Sequence, residues 1–199
     1  MSPISERSVQ NNLLYSADAP VIHIQVNPSF TYVGSQSFIL YNVAQVEQYH
    51  FVIVGPDRHV MRLLWIQFEG YLDNNQHTYH YPASAKLALN GYEFLHDSNV
   101  LNIDQDFQER PDSDSAHVVT YLREQGYDLR GDTIYKRLVW LDRAKRKELM
   151  IIYSEDLKGI GLDMAEVAKI DRSSKRWVEL EQGLHQRALE SFTIVTALS

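Results

Sequence analysis

The chain has 199 residues, of which 44% are hydrophobic and 23% are charged, values typical of a globular protein and not of a disordered one. Lys and Arg total 19 and Asp and Glu total 26, and the resulting net charge of −7 argues against general nucleic-acid binding. The sequence contains no cysteine, which excludes disulfides, thiolate catalysis and cysteine-ligated metal centres.

The N-terminal segment predicts neither export nor membrane insertion. Residues 1–10 are polar and lack the apolar core of a signal peptide. No stretch approaches the roughly 18 consecutive apolar residues that a membrane-spanning helix needs. We therefore expect a cytoplasmic protein with no membrane partner and no nucleic-acid partner. Residues 1–19 are polar and mixed, which predicts a loosely ordered N-terminal arm followed by a single domain over residues 20–199.

The first half of the predicted domain is dominated by one long hairpin. Residues 21–26 read as a short strand that ends at Asn27-Pro28. Residues 43–54 and 60–72 are rich in valine and aromatic residues, and the segment between them, 55–59, has the composition of a turn. The two arms are predicted to pair antiparallel across that turn.

Shorter elements are predicted for the second half. Ser113 or Asp114 can cap a helix that runs to about residue 125, after an acidic and exposed segment over residues 104–114. Residues 133–141 and 148–154 predict a second hairpin around a basic turn. Four apolar residues then recur at spacings of three and four, which predicts an amphipathic C-terminal helix: Trp177, Leu180, Leu184 and Ala188.

Long hairpins with few helices predict an α+β fold. We expect a curved antiparallel sheet or a partial barrel, covered by one or two helices that include the C-terminal one. Both faces of the first hairpin have apolar stretches, so both are expected to be covered. The helices do not alternate with the strands, so a doubly wound parallel sheet is not expected.

The candidate site residues follow from the register of the hairpins. If Val54 pairs with Val60, Glu47 and Glu69 lie diagonally on one face of the sheet. The aromatic side chains along that row are Tyr49, Trp65 and Tyr71. Two carboxylates beside aromatic rings can act as an acid and base pair, whereas glutamates at a solvated rim need no function. A slip of one residue would separate the two glutamates.

The second hairpin adds a positive charge. If Leu141 faces Leu149, then Arg137 faces Tyr153 within an otherwise apolar strand. A buried guanidinium needs an acceptor, and Glu155 is the nearest in sequence. Arg137 is therefore predicted either to form a structural ion pair or to bind the polar end of a ligand.

Metal and cofactor motifs are weak. His77 and His80, with Asp73, lie in a polar segment whose H-x-x-H spacing fixes no geometry, and we predict an ordinary loop without a metal. Gly159-Ile160-Gly161 is too short to match a Walker loop or a dinucleotide fingerprint. No cofactor is expected.

Three functions remain open at this point. The first is non-enzymatic binding of a small apolar or amphipathic molecule in a sheet-lined pocket, with Tyr49, Trp65, Tyr71, Arg137 and Tyr153 as ligand-binding residues. The second is a hydrolase or isomerase that uses Glu47 and Glu69 as acid and base. The third is an interaction or assembly subunit without a small-molecule site. A homo-oligomer is compatible with all three, and a pocket instead of a filled core would favour the first two.

Overall fold

The computed structural model describes residues 6–81 and 85–195, which form eleven strands and four α-helices within those ranges. The strands are β1 (Arg7–Gln10), β2 (Leu13–Ser16), β3 (Ile22–Val26), β4 (Thr31–Leu40), β5 (Ala44–Val54), β6 (Val60–Tyr71), β7 (Ala85–Leu89), β8 (Tyr92–Asn102), β9 (Asp132–Leu141), β10 (Lys147–Asp156) and β11 (Phe192–Val195). The helices are α1 (Ile103–Glu109), α2 (Asp114–Glu124), α3 (Met164–Val167) and α4 (Lys175–Glu190).

The strands form two antiparallel sheets, which confirms the predicted α+β class. A four-stranded sheet has the order β1-β2-β3-β11, and a seven-stranded sheet has the order β4-β5-β6-β10-β9-β8-β7. The large sheet is open, with β4 and β7 at its edges, so it does not close into a barrel. In the described part of the chain, no helix combines the length and the apolarity needed to cross a membrane.

Two hydrophobic cores cover the two faces of the large sheet. On one face, Phe51 and Ile66 pack in a single buried cluster with Leu14 of the small sheet and Leu184 of α4. On the other face, Trp65 packs in a second cluster with residues of α1 and α2, which include Ile103, Val119 and Leu122. Both faces are thus covered, as the apolar stretches of the first hairpin predict.

The predicted C-terminal helix is confirmed as α4. Trp177 and Leu184 are 5% and 0% exposed, and both belong to the cluster that packs on the large sheet. Ser174 caps the helix, and its hydroxyl accepts a hydrogen bond from the Trp177 amide. The short strand β11 follows the helix directly.

The N-terminal arm departs from its predicted looseness. Residues 7–16 form a hairpin, β1 and β2, whose two turn residues Asn11 and Asn12 have φ of 51° and 59°. Asparagine tolerates this left-handed conformation, and paired left-handed residues are typical of tight hairpin turns. Leu14 is fully buried and Val9 packs against the same core cluster, so both strands of the hairpin contact the core. Residues 1–5 of the predicted arm lie outside the described residues.

The first long hairpin is confirmed, but its register differs from the predicted one beyond the turn. Val54 pairs with Val60 as predicted, and then Met61 is an extra residue, so that Ile53 pairs with Arg62. The bulge occurs where the Val60 amide donates a hydrogen bond to the Asp128 carbonyl, which draws the start of β6 toward a neighbouring segment. Every later pair is shifted by one residue, which exchanges the face of each β6 side chain relative to β5.

The register of the second hairpin is also one residue from the predicted one. Leu141 pairs with Glu148, and Arg137 therefore pairs with Ile152. The Asp142 carboxylate accepts hydrogen bonds from the backbone amides of the residues at positions 146 and 147, which fixes a turn over residues 143–146. As a consequence Tyr153 lies on the opposite face of the sheet from Arg137.

The acidic segment 104–114 contains a helix that the sequence pattern does not predict. Asn102 caps α1 by accepting a hydrogen bond from the Gln105 amide. Asp106 is 7% exposed, because its carboxylate bonds to Arg110 and to the Ser115 hydroxyl. A charged segment is thus partly buried through its own ion pair, which connects α1 to the start of α2.

Candidate functional site

A band of polar side chains crosses the face of the large sheet that α1 and α2 cover. The shifted register places Gln48 opposite Gln67, and Glu69 opposite Glu148. Arg137 projects from β9 on the same face, opposite Ile152. Buried polar groups are tolerated only when they are hydrogen-bonded, so the partners of this band decide its role.

Gln67 lies at the centre of the band, and its side-chain amide makes four hydrogen bonds. Its Nε2 donates to Glu69 Oε2 at 2.8 Å and to Asp114 Oδ2 at 3.5 Å. Its Oε1 accepts from Gln48 Nε2 at 2.7 Å and from Trp65 Nε1 at 3.1 Å. Because both hydrogens and both lone pairs are engaged, the amide orientation is fixed, and with it the positions of the two carboxylates.

Glu69, which is partly buried, and Glu148, which is buried, form a cross-strand pair of carboxyl groups. The Tyr79 hydroxyl donates to Glu69 at 2.9 Å, and the Tyr81 hydroxyl donates to Glu148 at 2.7 Å. Burial raises the pKa of Glu69 to about 7. Burial, followed by repulsion from Glu69, raises the pKa of Glu148 to about 8. The pair therefore holds at least one proton near neutral pH.

A cavity of about 170 Å³ lies between this face of the sheet and helices α1 and α2. Its apolar wall comes from the sheet, the helices and the chain segment before β9: Leu63, Trp65, Leu101, Ile103, Val118, Val119, Leu129, Met150 and Ile152. Its polar wall contains Arg110, Asp114, Tyr135 and Arg137, with Ser115, Thr133 and Ser154. We call the first four of these side chains the polar end of the cavity.

The two arginines at the polar end are each held by a carboxylate. Arg137 Nε donates to Asp97 Oδ1 at 3.2 Å, and Arg110 Nε donates to Asp106 Oδ1 at 2.8 Å. Each guanidinium keeps its Nη1 without a hydrogen-bond partner in the described part of the chain. Their charges are thus compensated, while some of their donors remain available.

Among the described residues, Asp114 is the one acidic side chain that lines this cavity. It is the first residue of α2, and its Oδ1 accepts the Ser115 amide at 2.8 Å. No salt-bridge partner of Asp114 is present within residues 6–81 and 85–195. Burial raises the pKa of this carboxyl above its ordinary value, and Gln67 supplies only a long hydrogen bond.

The predicted site residues separate into three places. Trp65 and Arg137 line the 170 Å³ cavity. Glu47, Glu69 and Tyr71 border a second cavity of about 300 Å³ at the end of β6, which Arg7 and Lys147 also line. Tyr49 and Tyr153 are 4% and 1% exposed in the core on the opposite face.

The predicted pairing of Glu47 with Glu69 is wrong. The bulge at Met61 places their carboxylates on opposite faces of the sheet. Glu47 accepts from Arg7 Nη1 at 2.8 Å and from the Tyr49 hydroxyl at 3.0 Å, whereas Glu69 is bonded to Gln67 and Tyr79. Glu69 instead has Glu148 as its acidic neighbour.

Sequence reasoning missed the residues that complete the site. The sequence predicts only a capping role for Asp114, although Ser113 is the N-cap. It predicts Glu148 only as the first residue of a strand and gives Tyr135 no role of its own. A signal for Tyr135 was present, because side chains two residues apart in a strand share a face. The place of Glu148 beside Glu69 follows only from the strand register that the structure shows.

Metal binding finds no geometric support in the described ranges, where no three His, Cys, Asp or Glu side chains are grouped to hold an ion. His77 lies beside Tyr71, with ring centroids 5.6 Å apart. A comparison of the chain with protein-family models, curated proteins and solved structures finds no match.

Proposed function

We propose that this protein binds a small amphipathic molecule in the 170 Å³ cavity between the large sheet and helices α1 and α2. The observation that carries the proposal is the division of the cavity wall into an apolar part and a polar end. Binding sites for small molecules commonly combine such an apolar lining with a few convergent polar groups. Trp65 and Arg137, both predicted as ligand-binding residues, contribute one to each part.

The size of the cavity limits the ligand. Cavities of about 150 Å³ lined by apolar side chains admit one benzene ring. A space of about 170 Å³ therefore suits a single ring or a short alkyl chain with one polar group attached. Such a ligand would bury its apolar body against Val119 and Ile152 and place its polar group at the polar end of the cavity.

The polar end can fix the direction in which the ligand lies. The Tyr135 hydroxyl has no hydrogen-bond partner among the described residues, and neither has Nη1 of Arg137. Unused donors beside an apolar cavity favour a ligand that carries at least one polar atom at that position. A purely apolar ligand would leave these groups without a partner wherever it displaced water.

The test is a titration with benzyl alcohol, which is one ring with one hydroxyl. We expect saturable binding, followed by NMR, with shifts at the Trp65 indole and at the Val119 methyl groups. A Val119→Phe variant fills part of the cavity and should weaken binding at least about fivefold, because overfilled sites cannot repack freely.

Val178→Phe is the matched control, since Val178 is 42% exposed on α4, outside the cavity. This variant should bind benzyl alcohol as the unmodified protein does. Equal affinity in the Val119→Phe variant, with its fold intact by circular dichroism, would place the binding elsewhere. Absence of any saturable shift would reject the proposed function.

Acid–base catalysis is a second candidate, favoured by the carboxyl pair with pKa values of about 7 and 8. Catalytic carboxyl groups need a pKa near the working pH. However, Glu148 is 2% exposed and covered by Tyr81, which leaves little room for a substrate. Turnover of a cavity ligand that disappears in a Glu148→Gln variant would favour catalysis over binding alone.

A further inference from the structure

The charges at the polar end of the cavity are unevenly compensated. Arg110 and Arg137 each have a carboxylate partner, Asp106 and Asp97 respectively. Asp114 forms no salt bridge in the described part of the chain, although it lines the same cavity, and Arg110 and Arg137 act on its charge only from beyond salt-bridge distance. A buried or partly buried carboxylate without a counter-ion is costly, so a cationic group placed next to it is stabilised.

The surroundings of Asp114 add to this preference. Gln67 connects Asp114 to Glu69, whose cross-strand neighbour is Glu148. These two carboxyl groups also have no salt-bridge partner within the described residues. A cation at Asp114 would be attracted by each of the three that is ionised, whereas an anion would be repelled by it.

The aromatic part of the cavity is compatible with a cation. Trp65 and Tyr135 both line it, and aromatic rings attract cations through their electron-rich faces. The Trp65 Nε1 hydrogen is already donated to Gln67, so the indole has no further hydrogen to offer an anion. The two arginines oppose a cation, but their own carboxylate partners reduce that repulsion.

We propose that the ligand of this cavity is a small primary amine with an apolar body, held by its ammonium group at Asp114. This inference rests on the proposed binding function and deepens it by assigning the charge of the ligand. The ring or chain occupies the apolar part between Trp65 and Val119. The ammonium donates to Asp114 Oδ2, which Gln67 reaches only at 3.5 Å.

The experiment compares three probes of nearly equal size at about pH 7: benzylamine, benzyl alcohol and benzoate. We expect benzylamine to bind roughly tenfold more tightly than benzyl alcohol, a ratio typical of one charge-assisted hydrogen bond. Benzoate should bind more weakly than both. In an Asp114→Asn variant, benzylamine should lose its advantage while benzyl alcohol binds as before, which also shows that the cavity is intact.

Asp112→Asn is the matched control, since it removes the same charge from an exposed position two residues away. This variant should keep the preference for benzylamine. Benzoate as the tightest probe, or an unchanged preference in Asp114→Asn, would overturn the inference and leave the proposed function standing. If none of the three probes binds, the proposed function and this inference both fail.

Discussion

Replacing Glu148 with Gln should stabilise the protein, and more so as the pH rises. Glu148 is 2% exposed and has a pKa of about 8, against an ordinary value of 4.5. When folding raises the pKa of a carboxyl group, the unfolded chain releases the proton at a lower pH than the folded protein does. This difference favours the unfolded state. The protein therefore loses stability as the pH rises from about 4.5 to about 8, and the loss is complete above that range.

The size of the effect follows from the linkage relation. With one carboxyl at about 8 in the folded state and 4.5 in the unfolded chain, the loss is about 4 kcal/mol at about pH 8 and under about 1 kcal/mol at about pH 5. Gln keeps the shape of the side chain and an acceptor for the Tyr81 hydroxyl. The advantage of Glu148→Gln over the unmodified protein should therefore grow by about 3 kcal/mol between those two pH values.

Urea denaturation of both proteins at a series of pH values measures this difference directly. Glu93→Gln serves as the control, because the Glu93 side chain is 64% exposed beside Lys86 and its replacement should leave the pH dependence unchanged. A difference between Glu148→Gln and the unmodified protein that stays constant from about pH 5 to about pH 8 would refute the reasoning. It would mean that Glu148 titrates as an ordinary solvated carboxyl.

Two further predictions concern the face of the sheet that α4 covers. Leu184→Ala removes a fully buried side chain and should lower the free energy of unfolding by about 2–5 kcal/mol, seen as a lower urea midpoint; an unchanged midpoint would contradict the packing of α4. Arg187→Met should cost about 3–5 kcal/mol, because Glu155 is 2% exposed and would lose its cationic partner. Replacing both Arg187 and Glu155 with apolar residues should recover much of that loss, which a double-mutant cycle measures.

Elements set by local rules could be predicted from the sequence. Ser113, one of the two predicted caps, begins α2, since its side chain accepts a hydrogen bond from an amide in the first turn of the helix. The burial of Trp177 and Leu184 could be predicted because their spacing places both side chains on one face of a helix. The arms of the first hairpin pair as expected, because valine-rich strands around a turn leave few alternatives.

Features that depend on distant contacts could not be predicted. The bulge at Met61 accompanies a hydrogen bond between Val60 and Asp128, which are far apart in sequence. The burial of Asp106 in α1 depends on Arg110 and on Ser115 at the start of α2. Neither contact leaves a periodic signal, so the acidic segment resembles an exposed loop until its partners are known.

One inserted residue determines which polar groups meet in the site. Without the bulge at Met61, Glu69 would lie on the face of Glu47, where Arg7 supplies a positive charge. With the bulge, Glu69 lies next to Glu148 and is joined to Asp114 through Gln67, on a face where no basic side chain forms a salt bridge with the three acids within the described residues.

The protein keeps these acids partly protonated by burial, at a cost to stability that the Glu148→Gln variant measures. Residues that lower stability without a structural benefit are typical of sites selected for binding or chemistry. The cavity beside Asp114 is where a ligand can offset that cost, because a cation there compensates a charge that has no salt-bridge partner within the described residues. Tighter binding of benzylamine as the pH rises from about 6 to about 8 would follow from this coupling, since deprotonation of Glu69 and Glu148, whose pKa values are about 7 and about 8, adds negative charge near the ammonium group. Affinity for benzylamine that is independent of pH over this range would show that ionisation of the buried acids does not affect ligand binding.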